Sequence, residues 1–249
     1  NGNSTVTVHA QLDVSLTTNG GITVNDNATL NINAATTVNI GDATYRGDLA
    51  INNDATLSFT NAAATVVLSG TWTMGDNTTL TNTVQPNLEL VGSTSMTLPD
   101  KLDDNPALEA LDVNKTAATV TLSEDLVINT TLNVRTGATF DLSDYGITVT
   151  TTTDLETGAA ITGTTTETVT RTFTTAVTLN GTATFSSVGE DVTNDFQDAL
   201  TLGSGTAGTS VDFSYSTVTQ IGDLTISNAS TMDLDGATYT YSGGAVDMA

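Results

Sequence analysis

The chain has 249 residues and a mass of only 25.5 kDa, because small side chains dominate: 55 Thr, 21 Asn and 21 Gly. Twenty-eight acidic residues against 5 basic ones give a formal charge of −23. That excludes nucleic acid as a partner and disfavours anionic lipid, since Arg46, Lys101, Lys115, Arg135 and Arg171 are too scattered to build a basic patch. Cysteine is absent, which removes disulfides, thiolate metal sites and thiol nucleophiles, and no apolar run approaches the ~20 residues of a membrane helix.

Disorder is the next class to test, because acidic chains poor in aromatics often cannot bury enough apolar surface. Here 38% of residues are hydrophobic, mean hydropathy is +0.01, and the apolar positions recur regularly. Of the acids, 22 are Asp and 6 are Glu, and Asp favours turns and caps over helix interiors. Together with abundant Thr, Val and Ile, this predicts strands separated by Asn, Asp and Gly turns.

The chain opens at Asn1 with neither Met nor a leader pattern, as expected of a processed product or excised fragment. The sole histidine, His9, sits between Val8 and Ala10 and reads as a strand or capping residue. From Ile22 an eleven-residue pattern begins: apolar, any, apolar, four turn formers, Thr, apolar, any, usually apolar. Its copies start at Ile22, Leu49, Trp72, Leu132, Val177 and Leu224. The intervals are 27, 23, 60, 45 and 47 residues, the last two close to twice 23.

Each copy reads as strand, corner, strand, with the paired apolar residues on one side. Stacked, such units make an all-β parallel β-helix of about ten rungs of roughly 20–27 residues, a rod on the order of 50 Å. A propeller needs longer blades. β-Sandwich domains remain the alternative, although they leave the recurrence unexplained.

Pro86, Pro99 and Pro106 fall beside Asp100, Asp103 and Asp104, and proline removes a ladder donor. The expected division is therefore residues 1–98 as a first solenoid part, 99–118 as an irregular Pro/Asp-rich loop or protrusion, and 119–249 as a second part. Within the loop, Pro106 to Leu111 is expected to make a helical turn. The Thr-dense stretch from Thr150 to Thr175 reads as strand plus a long loop.

The runs Gly222 to Gly243 and Ala110 to Val134 resemble the β-solenoid repeats of large bacterial surface adhesins and autotransporter-like proteins, especially those of the Bacteroidetes. The resemblance implies a secreted or cell-surface protein with a structural or adhesive role: a stalk, adhesin segment or filament subunit. It carries over no catalytic residue.

Catalytic chemistry is weakly supported. A single histidine and no cysteine leave no nucleophile–base arrangement, so the remaining option is a carboxylate pair of the kind a glycosidase uses. Candidates are Asp103 with Asp104, Asp141 with Asp144, Glu190 with Asp191, and Asp233 with Asp235. In the repeat frame Asp141 and Asp233 share an outward position with Asn31, Ser58, Thr81 and Ser186, as on a solvated face.

The alternative function, a carbohydrate-binding or carbohydrate-cleaving β-helix, requires an aromatic groove, for which Phe213, Tyr215, Tyr239 and Tyr241 are the candidates. No cofactor is required, but calcium is the ion that hard oxygen ligands would hold, at Asp100, Asp103, Asp104, Asp233 or Asp235. A lesser alternative is ice binding by ranked threonines, from the outward pairs Thr29/Asn31, Thr56/Ser58, Thr79/Thr81, Thr139/Asp141, Thr184/Ser186 and Thr231/Asp233.

Of seven Asn-x-Ser/Thr triplets, those at Asn27, Asn77 and Asn180 lie in corners where a glycan would project. Expected partners are copies of the chain or neighbouring repeats of a longer one, and surface glycans; no membrane insertion is expected. The expected location is extracellular or at the cell surface.

Overall fold

Period-two alternation of apolar and Thr, Asn or Asp residues builds short strands that bury one side, and turn formers between them bend the chain at regular intervals. In the computed structural model, which describes residues 6–8, 11–14, 20–33, 37–42, 44–61, 64–82, 84–102, 108–189, 191–203, 209–227 and 229–248, the described residues are all strand, turn and bend, with no helix. They form a parallel β-solenoid of about nine turns. Every strand-to-strand pairing is parallel and most are in unbroken register. A turn takes from 16 residues (Val6 to Ile22) to 28 (Thr182 to Ser210).

Three faces surround one apolar core. Face 1 runs from Val6–Val8 through Trp72–Met74 and resumes from Met96–Thr97 to Thr231–Asp233. Face 2 runs from Gln11–Val14 to Thr79–Asn82, and in the later turns from Ile147–Val149 to Thr238–Tyr241. Face 3 is continuous from Thr37–Ile40 through Asn87–Gly92, Leu108–Lys115 and Leu126–Val134 to Val246–Met248, within a 15-stranded sheet.

The corners follow from their residues. Asn27, Asp54 and Asn77 take the left-handed conformation (φ 61°, 58° and 55°) at one position of three successive turns, which short polar side chains tolerate. The core is one cluster and contains all six Phe. Phe173 stacks on Phe196 at 5.1 Å, and Phe185 on Phe213 at 5.8 Å.

Two local expectations are corrected. Leu108 to Leu111 belong to the strand Leu108–Lys115 instead of a helical turn, because Leu108, Leu111 and Val113 are buried in the ladder between neighbouring turns; Pro106 lies outside the described residues. Nor is Thr150 to Thr175 a long loop. Strands Thr152–Leu155, Ala160–Thr162 and Val169–Phe173 occupy it, with Leu155, Ile161 and Phe173 supplying the inward apolar positions that dense Thr obscures in the sequence.

The repeated motif also changes place. In the copies at Ile22, Leu49 and Trp72 its corner joins face 1 to face 2, whereas in those at Leu132, Val177 and Leu224 it joins face 3 to face 1. Asn31, Ser58 and Thr81 therefore do not share a face with Asp141 and Asp233.

Candidate functional site

Face 1 is interrupted between Trp72–Met74 and Met96–Thr97, which pair with no common strand among the described residues. Parallel strands present the N–H and C=O of alternate residues to alternate neighbours. The Thr71 carbonyl accepts from Leu49 N–H, and Gly75 N–H donates to the Ile51 carbonyl. Thr71, Thr73 and Gly75 thus face the preceding turn, while Trp72 and Met74 turn their backbone groups to the break. On the far side Leu98 N–H donates to the Thr121 carbonyl, which leaves Thr97 facing the break.

A groove of about 340 Å³ lies here, lined by Trp72, Met74, Thr97, Leu98, Asp100 and Ser123 among others. It adjoins a polar groove of about 500 Å³ lined by Met74, Gly75, Asp76, Asn77, Asp100 and Lys101. Trp72 is 4% exposed, and its indole N–H has no hydrogen-bond partner among the described residues.

Lys115 explains how the break is tolerated. Its backbone stacks on Gly92, and its side chain passes that glycine to place Nζ 3.2 Å from the Ser69 carbonyl and 3.5 Å from that of Gly70. These are the carbonyls just before the interrupted strand, so an ammonium stands in for missing ladder donors. Gly92 has φ +79°, and a Cβ there would approach the Ser69 carbonyl to 3.2 Å. Lys115 is 1% exposed. Burial pushes its ammonium down to about 8, Arg46 adding to the shift and Asp48 opposing it.

Other cations are bound into the structure. Arg135 bridges Asp112 at 2.7 Å and Glu156 at 2.8 Å, which raises its pKa and holds Glu156 low. Arg46 pairs with Asp48 on the surface. Arg171 is fully buried, with its Cζ 6.0 Å from the Phe185 ring and no hydrogen-bond partner among the described residues for any guanidinium nitrogen. Burial lowers it to about 10, opposed by Asp144. Neither buried cation was visible in the sequence beyond its place in an alternating strand.

The acidic candidates are mostly committed to corners. Asp233 Oδ1 accepts the Asp235 N–H, Asp235 Oδ2 accepts the Tyr215 hydroxyl, and Asp233 stacks on Asp212, which caps Ser214. Asp141 accepts from Ser143 N–H and Thr162 Oγ1, while Asp144 accepts from Thr165 Oγ1 and Thr166 N–H, which lowers its pKa. Asp141 and Asp233 lie four turns apart on face 1, about 19 Å at the strand spacing, beyond the reach of a carboxylate pair.

Asp100 sits in an exposed turn beside the groove, whereas Asp103, Asp104, Glu190 and His9 lie outside the described residues. Among the described residues no three His, Cys, Asp or Glu side chains come together as a metal site would require. Asn27 and Asn77 are exposed corner tips and Asn180 is half-buried.

The aromatic candidates do not assemble. Phe213 is in the core, Tyr215 is exposed on a corner, and Tyr239 and Tyr241 lie half-buried against the core, extending the inward ladders of Val218 and Gln220. The threonine pairs are also displaced. The corner after Val177–Leu179 is short, so Thr182 instead of Thr184 stacks with Ser210 and Thr231, and Ser186 is buried. A denser rank stands on face 2, at Thr170/Thr172, Thr193/Asp195, Thr217/Thr219 and Thr238/Thr240. The period-two reading could have found it, had that stretch been taken as strand.

The fold thus defines the class of the chain, a parallel β-solenoid repeat protein. No protein-family model, curated protein or solved structure matches it.

Proposed function

We propose that the chain is a non-enzymatic structural module, an extracellular or cell-surface solenoid segment of a stalk, adhesin or filament. The observation that supports this reading is the continuous sheet on face 3, which extends through nearly every turn over a single core. Parallel ladders resist bending when every turn bonds to the turns before and after it, and stability then accumulates from nearest-neighbour interfaces. The outward Thr, Asn and Asp keep such a rod soluble.

The last turn contributes a second element. Thr231–Asp233, Thr238–Tyr241 and Val246–Met248 end their sheets, and half-buried Met232 and Tyr239 beside exposed Val246 and Met248 leave apolar surface at that end. A further turn, from a longer chain or a second copy, would cover it, and head-to-tail contact between copies builds a fibre. Electron microscopy at rising concentration tests this. Rods of about 43 Å for nine turns at the ~4.8 Å strand spacing, lengthening in multiples with concentration, are expected. Single particles of constant length at every concentration would overturn end-to-end assembly.

A further inference from the structure

We propose that the corner at Tyr215 is a docking point for an arginine side chain on a basic segment of a partner protein, the guanidinium stacking on the open side of the Tyr215 ring beside Asp235. The backbone gives the first sign. Among the described residues, the non-glycine positions with left-handed backbone are Asn, Asp, Ser and Ala, together with Tyr215 at φ 57°. A bulky residue is strained there, and Asn27 and Asn77 show that this solenoid fills such corners with short polar side chains. Tyr215 is nonetheless 60% exposed, so burial in the core does not offset the strain.

The ring is held in a fixed attitude. Its hydroxyl donates to Asp235 Oδ2 at 3.3 Å, and the Tyr215 backbone N–H donates to the Asp235 carbonyl at 2.9 Å. Gly236, in the next turn, is the seat beneath it: a Cβ there would come within 2.6 Å of Tyr215 Cδ1. One side of the ring thus rests on the backbone of the next turn, and no other aromatic ring stacks on it among the described residues. The rest faces solvent. Val188, 64% exposed, belongs to the turn before, where Ser187 N–H donates to the Ser214 carbonyl. An aromatic ring and an aliphatic side chain therefore stand exposed on adjacent turns of one corner.

Charge selects the guest. Asp212, Asp233 and Asp235 share this corner, Asp212 stacking on Asp233, and none of them pairs with a basic residue among the described ones. No three carboxylates among the described residues converge as a metal ion requires. A chain of net charge −23 repels anionic guests, which leaves a cation wider than a metal ion. A guanidinium is planar, stacks on an aromatic face and offers N–H forks to a neighbouring carboxylate. The compact, strongly hydrated ammonium of lysine matches a flat ring and its flanking acid less well.

The intact chain is titrated at low salt with the capped tripeptide arginine–valine–arginine, while the Tyr215 ring and amide resonances are followed by NMR. Saturable shifts in the millimolar range are expected, with the arginine methylene protons moved upfield by the ring. The same peptide with citrulline for arginine keeps the planar shape, loses the charge and should bind about tenfold more weakly, the weight of a charge-assisted hydrogen bond. Tyr215→Asn gives the corner a residue suited to its backbone. It should unfold at the parent's temperature or above and bind the arginine peptide about threefold more weakly, as loss of an exposed cation–π contact requires. Asp235→Asn should weaken the same peptide about threefold at low salt and less at high salt.

The proposal is overturned if the Tyr215 resonances do not move at millimolar peptide, or if the citrulline peptide binds as well as the arginine one. It is equally overturned if Tyr215→Asn binds as well as the parent, which would mean diffuse attraction to an acidic surface. The same holds if Tyr215→Asn unfolds at a markedly lower temperature, which would make the ring a structural latch on Gly236.

Discussion

Lys115 makes the stability of this solenoid depend on pH in an unusual direction. Burial pushes its ammonium from the ordinary 10.5 down to about 8, so between those values the unfolded chain binds a proton that the folded chain lacks. Unfolding free energy then rises with pH across the window. The penalty is fully present below pH 8 and is relieved above about 10.5. At roughly 1.4 kcal/mol per unit of pKa difference, the relief amounts to about 3 kcal/mol. Urea titrations followed by Trp72 emission at pH 7.5, 9 and 10.5 measure it. A chain of net charge −23 has other pH-dependent contributions to stability, so the decisive quantity is the difference between the parent and Lys115→Met. The parent should gain on the variant by about 3 kcal/mol from the lowest to the highest pH. Parallel pH profiles for the two chains would refute burial of the ammonium as the cause.

Four further outcomes follow from the packing. Phe196→Ala removes a ring stacked on Phe173 and in edge contact with Phe185 and Phe213, and should cost about 3–5 kcal/mol in a urea midpoint measurement. Arg171→Met replaces a buried guanidinium that has no hydrogen-bond partner among the described residues, and should be neutral or stabilising by about 1–4 kcal/mol; a loss of several kcal/mol would reveal a partner. Gly41→Ala combines φ +74° with a Cβ that would collide with Ser69 Oγ and the Gly47 nitrogen, and thermal unfolding should show a loss of about 2 kcal/mol or more. Arg135→Met breaks two partly exposed ion pairs and should cost only about 1 kcal/mol at low salt, less at high salt.

Much of the architecture was legible because burial alternates so regularly. Ile22, Val24, Leu30 and Ile32, inward in the sequence pattern, are inward in the structure, and the corner residues Asn27, Asp54 and Asn77 adopt the left-handed backbone their types permit. Failures occurred where a polar residue took an inward place. Arg171, Asn194 and Gln220 are fully buried on face 2, and the neighbours of Arg171 between Thr150 and Thr175 read as strand plus a long loop because alternation was judged by hydrophobicity alone. Pro106 to Leu111 failed for the opposite reason: local helix propensity was decisive in the sequence, and pairing of Leu108 and Leu111 with adjacent turns overrode it.

The 60-residue interval between the motif copies at Trp72 and Leu132 was the one arithmetic irregularity, and the break in face 1 is its structural counterpart. By the face 3 register three turns here take 66 residues, from Thr65 to Thr131, so a 60-residue interval brings the motif in one corner early, joining face 3 to face 1 after having joined face 1 to face 2. A corner rich in Asn, Asp and Gly stacks well only on its own kind. Where the series changes corner, the turn containing Trp72–Met74 and the turn containing Met96–Thr97 present unlike bends, face 1 loses its register, and only face 3 carries the ladder across. The carbonyls stranded by that change are those that Lys115 covers. The phase slip in the repeat, the buried lysine and the break in face 1 at Trp72 are therefore one feature. An insertion that restored the motif to its first corner should close the break and leave Lys115 without acceptors to bind.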